Sequence, residues 1–198
     1  MYQIWLYVGI IAGLLSLGVA MFLFFWVHRQ NAGSERAQEV ASWIREGASS
    51  YLRKLYSALT AVSVILGFII AIVFSFDLSQ LGTGDIFVET MNGIRMAVAF
   101  VAGGVCSAIA GYMGMNVAVE ANVRSATAAS KGLNPAFRVA FYAGSVMGLA
   151  MVGLAIIGMS VIYLITGDPE VILGFSFGAS TLALLAKAGG GIYTKTAD

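Results

Sequence analysis

Charged side chains are missing from five long stretches of the chain: 2–27, 55–76, 96–119, 139–167 and 171–186. The first four exceed the ~20 residues that carry a helix across a bilayer. The fifth is shorter but continues through Lys187 into the glycines that follow, and a lysine near a helix end can extend its ammonium group to the interface. The pattern predicts five transmembrane helices, spanning residues 2–27, 55–76, 96–119, 139–167 and 171–188, in an all-α, polytopic membrane helical bundle. Tyr2, Trp5 and Tyr7 at one end of the first stretch and Trp26 at the other fit two aromatic belts. That stretch has no basic leader and is far longer than the ~7–15 apolar residues of a cleaved signal peptide. Asn134-Pro135 reads as the N-cap and first residue of the fourth helix, and Asp168-Pro169-Glu170 plays the same part for the fifth. Between Ser34 and Leu55 the apolar residues Ala37, Val40, Ala41, Ile44, Ala48, Tyr51 and Leu52 recur at helical spacing. The second helix is therefore expected to begin as an amphipathic segment. That segment either lies on the membrane surface or packs on other helix ends.

Composition agrees with a membrane assignment. The chain is 59% hydrophobic and 11% charged, with a mean hydropathy of +0.87, whereas a soluble domain carries about 25% charged residues. A net charge of +1 argues against nucleic acid as a partner, because nucleic acid demands a basic footprint; membrane lipid is the expected surroundings. Cys106 is the single cysteine, so no intrachain disulfide can form; in its apolar run it reads as a small packing residue. His28, at a membrane edge, reads as an interface residue rather than a ligand. The charges sort into alternate loops: of the 11 Lys and Arg, only Arg95 falls outside the first and third connections and the end of the fifth helix. The positive-inside rule then places the N-terminus outside and the C-terminal end of this chain in the cytoplasm.

Small residues recur four apart at Gly9 and Gly13, at Gly103, Ser107 and Gly111, at Gly144 and Gly148, and at Gly174 and Gly178. Lipid supplies little hydrophobic drive between helices, so association depends on the close backbone approach such residues permit. Residues 1–198 read as a single membrane domain.

Candidate chemistry is sparse. No carboxylate lies inside the five charge-free stretches, although a complete ion pump keeps an ionisable group at membrane depth. Lys187 stands near one edge, with Ser180 two turns earlier on the same face. Gly189-Gly190-Gly191 reads either as a flexible helix exit, since three glycines are costly in a helix, or as a place where backbone comes close to a bound anion. The segment is not a Walker A motif, because Thr194 rather than Gly precedes Lys195.

The segment Gly189-Gly-Gly-Ile-Tyr-Thr-Lys195-Thr-Ala-Asp198, reached after Gly174-Phe-Ser-Phe-Gly-Ala-Ser180, resembles the fifth-helix signature of membrane-bound, ion-translocating pyrophosphatases. Glu46-Gly-Ala-Ser-Ser-Tyr-Leu-Arg53 is similar to that family's entry into helix two. Gly111-Tyr-Met-Gly-Met-Asn116 with Ala121-Asn-Val-Arg124 is similar to its third helix and following loop, and Asn134-Pro-Ala-Phe-Arg138 to the start of helix four. These segments run in order over nearly the whole chain. The resemblance implies that Lys195 contacts pyrophosphate and that Asp198 is the first carboxylate of a D-x-x-x-D motif for the magnesium accompanying it. It places Lys187 in the ion-coupling channel, where the family usually has arginine; lysine keeps the charge but loses the planar fork. Ser180 is a weaker channel candidate. The resemblance further implies Mg2+ as cofactor with K+ as a candidate second one, a homodimer, and coupling of pyrophosphate hydrolysis to H+ or Na+ transport. The second Asp of the motif lies beyond Asp198, so the chain is expected to be the N-terminal part of a larger multi-helix pump, truncated at its C-terminus and inactive alone. The competing readings are a small non-enzymatic membrane subunit, such as a proteolipid-like assembly partner, and a bare membrane anchor. The anchor reading leaves Lys195-Thr-Ala-Asp198 unexplained.

Overall fold

The computed structural model describes residues 2–75 and 86–197. Five α-helices account for nearly all of them: α1 (Tyr2–His28), α2 (Glu35–Ser75), α3 (Ile86–Ala129), α4 (Leu133–Thr166) and α5 (Pro169–Ala197). Each is long and apolar enough to cross a membrane, and the fold is an all-α membrane helical bundle. In hydrocarbon every backbone N–H and C=O must be paired within the chain, and helices do this without edges.

The helices outrun the charge-free stretches. α2 starts 20 residues before Leu55, because the amphipathic segment and the apolar segment form one continuous helix of 41 residues. Ser34 caps it: the Ala37 amide donates to Ser34 Oγ at 3.4 Å and the Gln38 amide to the Ser34 carbonyl at 3.0 Å. α3 likewise continues past Val119 to Ala129. α4 begins at Leu133 rather than Pro135; proline needs no hydrogen-bonded N–H anywhere in a first turn, so it does not mark the first residue uniquely. Asp168 caps α5 as the sequence predicts, its Oδ1 accepting the Glu170 amide at 2.8 Å. Gly132 and Gly167, both in the left-handed region, end α3 and α4, and the Gly167 amide donates back to the Tyr163 carbonyl at 2.8 Å.

The chain divides into two compact units. One comprises Met1–Val8, Leu55–Ala108 and Ile157–Asp198. Its core gathers Ala99, Val171 and Phe175, with Ala102, Cys106, Met159 and Ile162 packed against them; Cys106 is thus a packing residue. Here α3 and α5 meet backbone to backbone. A Cβ on Gly103 would collide with the Phe175 carbonyl, one on Gly178 with the Phe100 carbonyl, and one on Gly174 would lie 2.7 Å from the Met96 carbonyl.

The other unit comprises Gly9–Lys54 and Ile109–Ile156. Its core is small-sided: Ala20, Val27, Val117, Ala121, Ala143, Val146 and Ala150. A Cβ on Gly153 would come within 2.9 Å of the Gly13 carbonyl, so α1 and α4 also approach closely. Ser16 Oγ donates to the Leu149 carbonyl across the same pair at 2.8 Å. Gly144 and Gly148 differ from expectation: a Cβ on either would meet nothing within 4 Å among the described residues.

Candidate functional site

α5 holds three of the four site residues singled out in the sequence. Ser180, Lys187 and Lys195 are all exposed. Asp198 lies outside the described residues. The helix runs unbroken through Gly189-Gly190-Gly191 to Ala197, so the triplet is not a flexible exit. Three glycines cost about 3 kcal/mol in an aqueous helix, but at a membrane edge opening the helix would strand backbone groups. On a continuous helix Ser180 and Lys187 are seven residues apart and within about 20° of one face. Lys195 stands eight residues beyond Lys187, roughly 12 Å along the axis and about 80° around it. The structure therefore aligns Ser180 with Lys187 and turns Lys195 to another side. Neither lysine forms an ion pair among the described residues. No group of three His, Cys, Asp or Glu converges among those residues either, so they do not make a magnesium site by themselves.

A second polar assembly, in the other unit, centres on Glu120 of α3. Its Oε2 accepts from His28 Nδ1 at 2.7 Å, and Arg45 of α2 reaches its Oε1 at 3.6 Å. Arg124, one turn on, lies 3.8 Å from Oε2 and is itself buried. Arg124 also donates to the Glu120 carbonyl at 3.0 Å and to the carbonyl of His28, the last residue of α1, at 3.1 Å. A cation there neutralises the negative end of the α1 dipole and satisfies one of its orphan carbonyls. One carboxylate thus connects α1, α2 and α3. His28, read in the sequence as an interface residue, has a specific partner in Glu120. Beside this cluster a cavity of 280 Å³ is lined by Ser49 and Arg45 of α2 and by Asn116 and Glu120 of α3. Two segments that carry the sequence resemblance, 46–53 and 111–116, therefore face one cavity. Sequence reading passed over Glu120. Its one local signal is the Glu120–Arg124 spacing of four, the stabilising orientation on a helix; its other partners are remote in sequence, His28 by 92 residues.

Known proteins resemble this chain along most of its length. A K(+)-insensitive pyrophosphate-energized proton pump of Methanosarcina mazei is 41% identical over 188 residues, which cover 95% of this chain and 26% of that protein. A putative K(+)-stimulated pyrophosphate-energized sodium pump of Clostridium tetani is 43% identical over 191 residues, 96% of this chain and 26% of its own length. Pyrophosphate-energized membrane proton pump 3 of Arabidopsis thaliana is 34% identical over 201 residues, 93% of this chain and 25% of its own. The chain thus spans about a quarter of the length of the curated relatives it matches. The family model for inorganic H+ pyrophosphatase matches residues 14–198, from the first membrane helix through the triple glycine and Lys195 to Asp198. A five-helix membrane bundle matched over that range, with likeness to these pumps along almost its whole length, belongs to the inorganic H+ pyrophosphatase family.

Proposed function

We propose that this chain forms the N-terminal five helices of a membrane pyrophosphatase that hydrolyses magnesium pyrophosphate at the cytoplasmic face and drives H+ or Na+ outward. The observation that carries this reading is Lys195: an exposed ammonium, unpaired among the described residues, at the end of an unbroken α5. Such a group can donate charge-assisted hydrogen bonds to a phosphate oxygen and offset the charge of pyrophosphate. Asp198 supplies one carboxylate toward the metal that arrives with the substrate. The other carboxylates come from the rest of the protein, and no hydrolytic step is assigned to the described residues. Lys187, deeper on α5 and aligned with Ser180, places a fixed positive charge beside the ion path. K+ is a candidate second cofactor, the N-terminus lies outside, and the assembled protein is a homodimer in membrane lipid. The names of the relatives support a pump and divide between proton and sodium, so the proposal keeps both ions.

The test uses the full-length protein in sealed vesicles, with phosphate release and ion uptake measured together. Losing a hydrogen bond to a charged group costs about 1.5–3 kcal/mol, or about 10- to 100-fold. Lys195→Ala should lower the efficiency of pyrophosphate hydrolysis by that factor, and Asp198→Asn should raise the magnesium requirement. Wild-type kinetics in Lys195→Ala would remove this lysine from the site. The isolated 198-residue chain, freed of soluble pyrophosphatase, should show no magnesium-dependent hydrolysis.

A further inference from the structure

A cavity of 330 Å³ opens where α1 ends and α4 begins, within the unit that holds Glu120. Its walls include Trp26 of α1, Gln30 and Asn31 of the connection after it, Arg124 of α3, Lys131 of the turn between α3 and α4, and Arg138 of α4. Three of these six are cations, and no acidic residue among the described residues lines the cavity. Lys131 and Arg138 are exposed and form no ion pair among the described residues. Arg124 is 8% exposed. One terminal nitrogen donates to the Glu120 carbonyl of α3 and the other to the His28 carbonyl of α1, but its buried Nε has no partner among the described residues. The charge-free stretch of α1 ends at Val27 and that of α4 begins at Val139, which also lines the cavity. The opening therefore straddles the edge of the apolar zone. Trp26 and Val139 belong to the charge-free stretches, and the three cations lie outside them. The volume suits a small ligand, and the chemistry asks for an anionic group whose attached part is apolar.

We propose that this cavity binds the phosphate headgroup of an anionic phospholipid. The glycerol end rests against Trp26, an interfacial residue by type. The phosphate oxygens meet Lys131 and Arg138 and lie toward Arg124 Nε. A basic pocket between membrane helices is a recurrent solution for such headgroups. The site shares no residue with those proposed for pyrophosphate and stands whether or not Lys195 touches it.

The full-length protein, delipidated in mild detergent, is titrated with phosphatidylglycerol and followed by native mass spectrometry. Each cation at a membrane surface contributes about fivefold to binding of an anionic lipid, so Lys131→Gln with Arg138→Gln should weaken the tightest-bound phosphatidylglycerol about 30-fold. Both side chains are exposed, so the double variant should fold. Arg53→Gln with Lys54→Gln, two exposed cations elsewhere on α2, should leave that lipid near wild-type affinity, and phosphatidylcholine should be insensitive to both pairs. Equal phosphatidylglycerol affinity in wild type and the Lys131/Arg138 variant overturns the site. Equal loss in the Arg53/Lys54 control also overturns it, because the attraction would then belong to the whole surface. A parallel titration with inorganic phosphate separates the two sources of the same chemistry. Phosphate binding abolished by Lys131→Gln with Arg138→Gln, without retention of phosphatidylglycerol, would assign the cavity to soluble phosphate and overturn the lipid.

Discussion

Glu120 serves His28, Arg45 and Arg124 from three helices, with a side chain only 21% exposed. Removing it leaves the buried Arg124 facing a polar cluster without its counter-charge. Breaking a buried pair costs up to ~5 kcal/mol. Because His28 and Arg45 reach solvent, the loss here should be about 2–3 kcal/mol. Glu120→Ala should therefore lower the thermal midpoint of the detergent-solubilised protein, and Glu120→Gln should lower it less; an unchanged midpoint would show that the cluster is merely solvated. Lys187 calls for a different readout. If it is a fixed charge beside the ion path, Lys187→Ala should damage ion uptake at least as much as phosphate release, and Lys187→Arg should be the mildest change. Wild-type rates and an unaltered ratio of ions moved to pyrophosphate split would make Lys187 an interfacial lysine and nothing more. At this scale the sequence was uneven. Lys187 and Lys195 were visible because a charge stands out at the end of an apolar run, and Ser180 because it lies two turns before Lys187 on the same face. Glu120 was not, because it stands one residue past such a run, where a carboxylate is ordinary, and most of its partners come from other helices.

Among the elements, α3 and α5 depend on glycine where they touch. Gly103, Gly174 and Gly178 each bring one helix onto a carbonyl of the other. A side chain there must push the backbones apart, and overpacking of this kind costs about 1–3 kcal/mol or more. Gly178→Val should sharply reduce the yield and thermal midpoint of folded protein, whereas Gly144→Ala, with open space around it, should be neutral or stabilise α4 by up to about 1 kcal/mol. Equal damage from both would mean that the contacts do not discriminate between these glycines. The sequence spacing is the same for Gly144 and Gly148 as for Gly174 and Gly178. Spacing shows that one face is small, not which faces meet a neighbour. Helix number was legible because charge-free runs are set by bilayer thickness. Helix ends were less so, since a helix can leave the membrane and continue, as α2 does for 20 residues.

On the scale of the whole molecule, the proposed sidedness rests on the sorting of Lys and Arg. Single cysteines in a Cys106→Ala background, probed in intact cells with an impermeant thiol reagent, should label at Thr83 and not at Ser125; the reverse pattern would invert the proposed orientation. Position 83 lies outside the described residues, so this test rests on charge alone. In the larger protein proposed for this chain, a further element would have room to approach α5 around Gly189-Gly190-Gly191. Three successive glycines sweep about 200° around a helix and leave a bare collar between Lys187 and Lys195. Along this collar mutation can run only one way: no residue is smaller, so every substitution adds atoms and none removes them. A Cβ on Gly191 would touch nothing within 4 Å among the described residues, and alanine would strengthen the helix by about 1 kcal/mol. Among the described residues, then, nothing that a Cβ would strike calls for glycine at position 191, and room is left there for a neighbour.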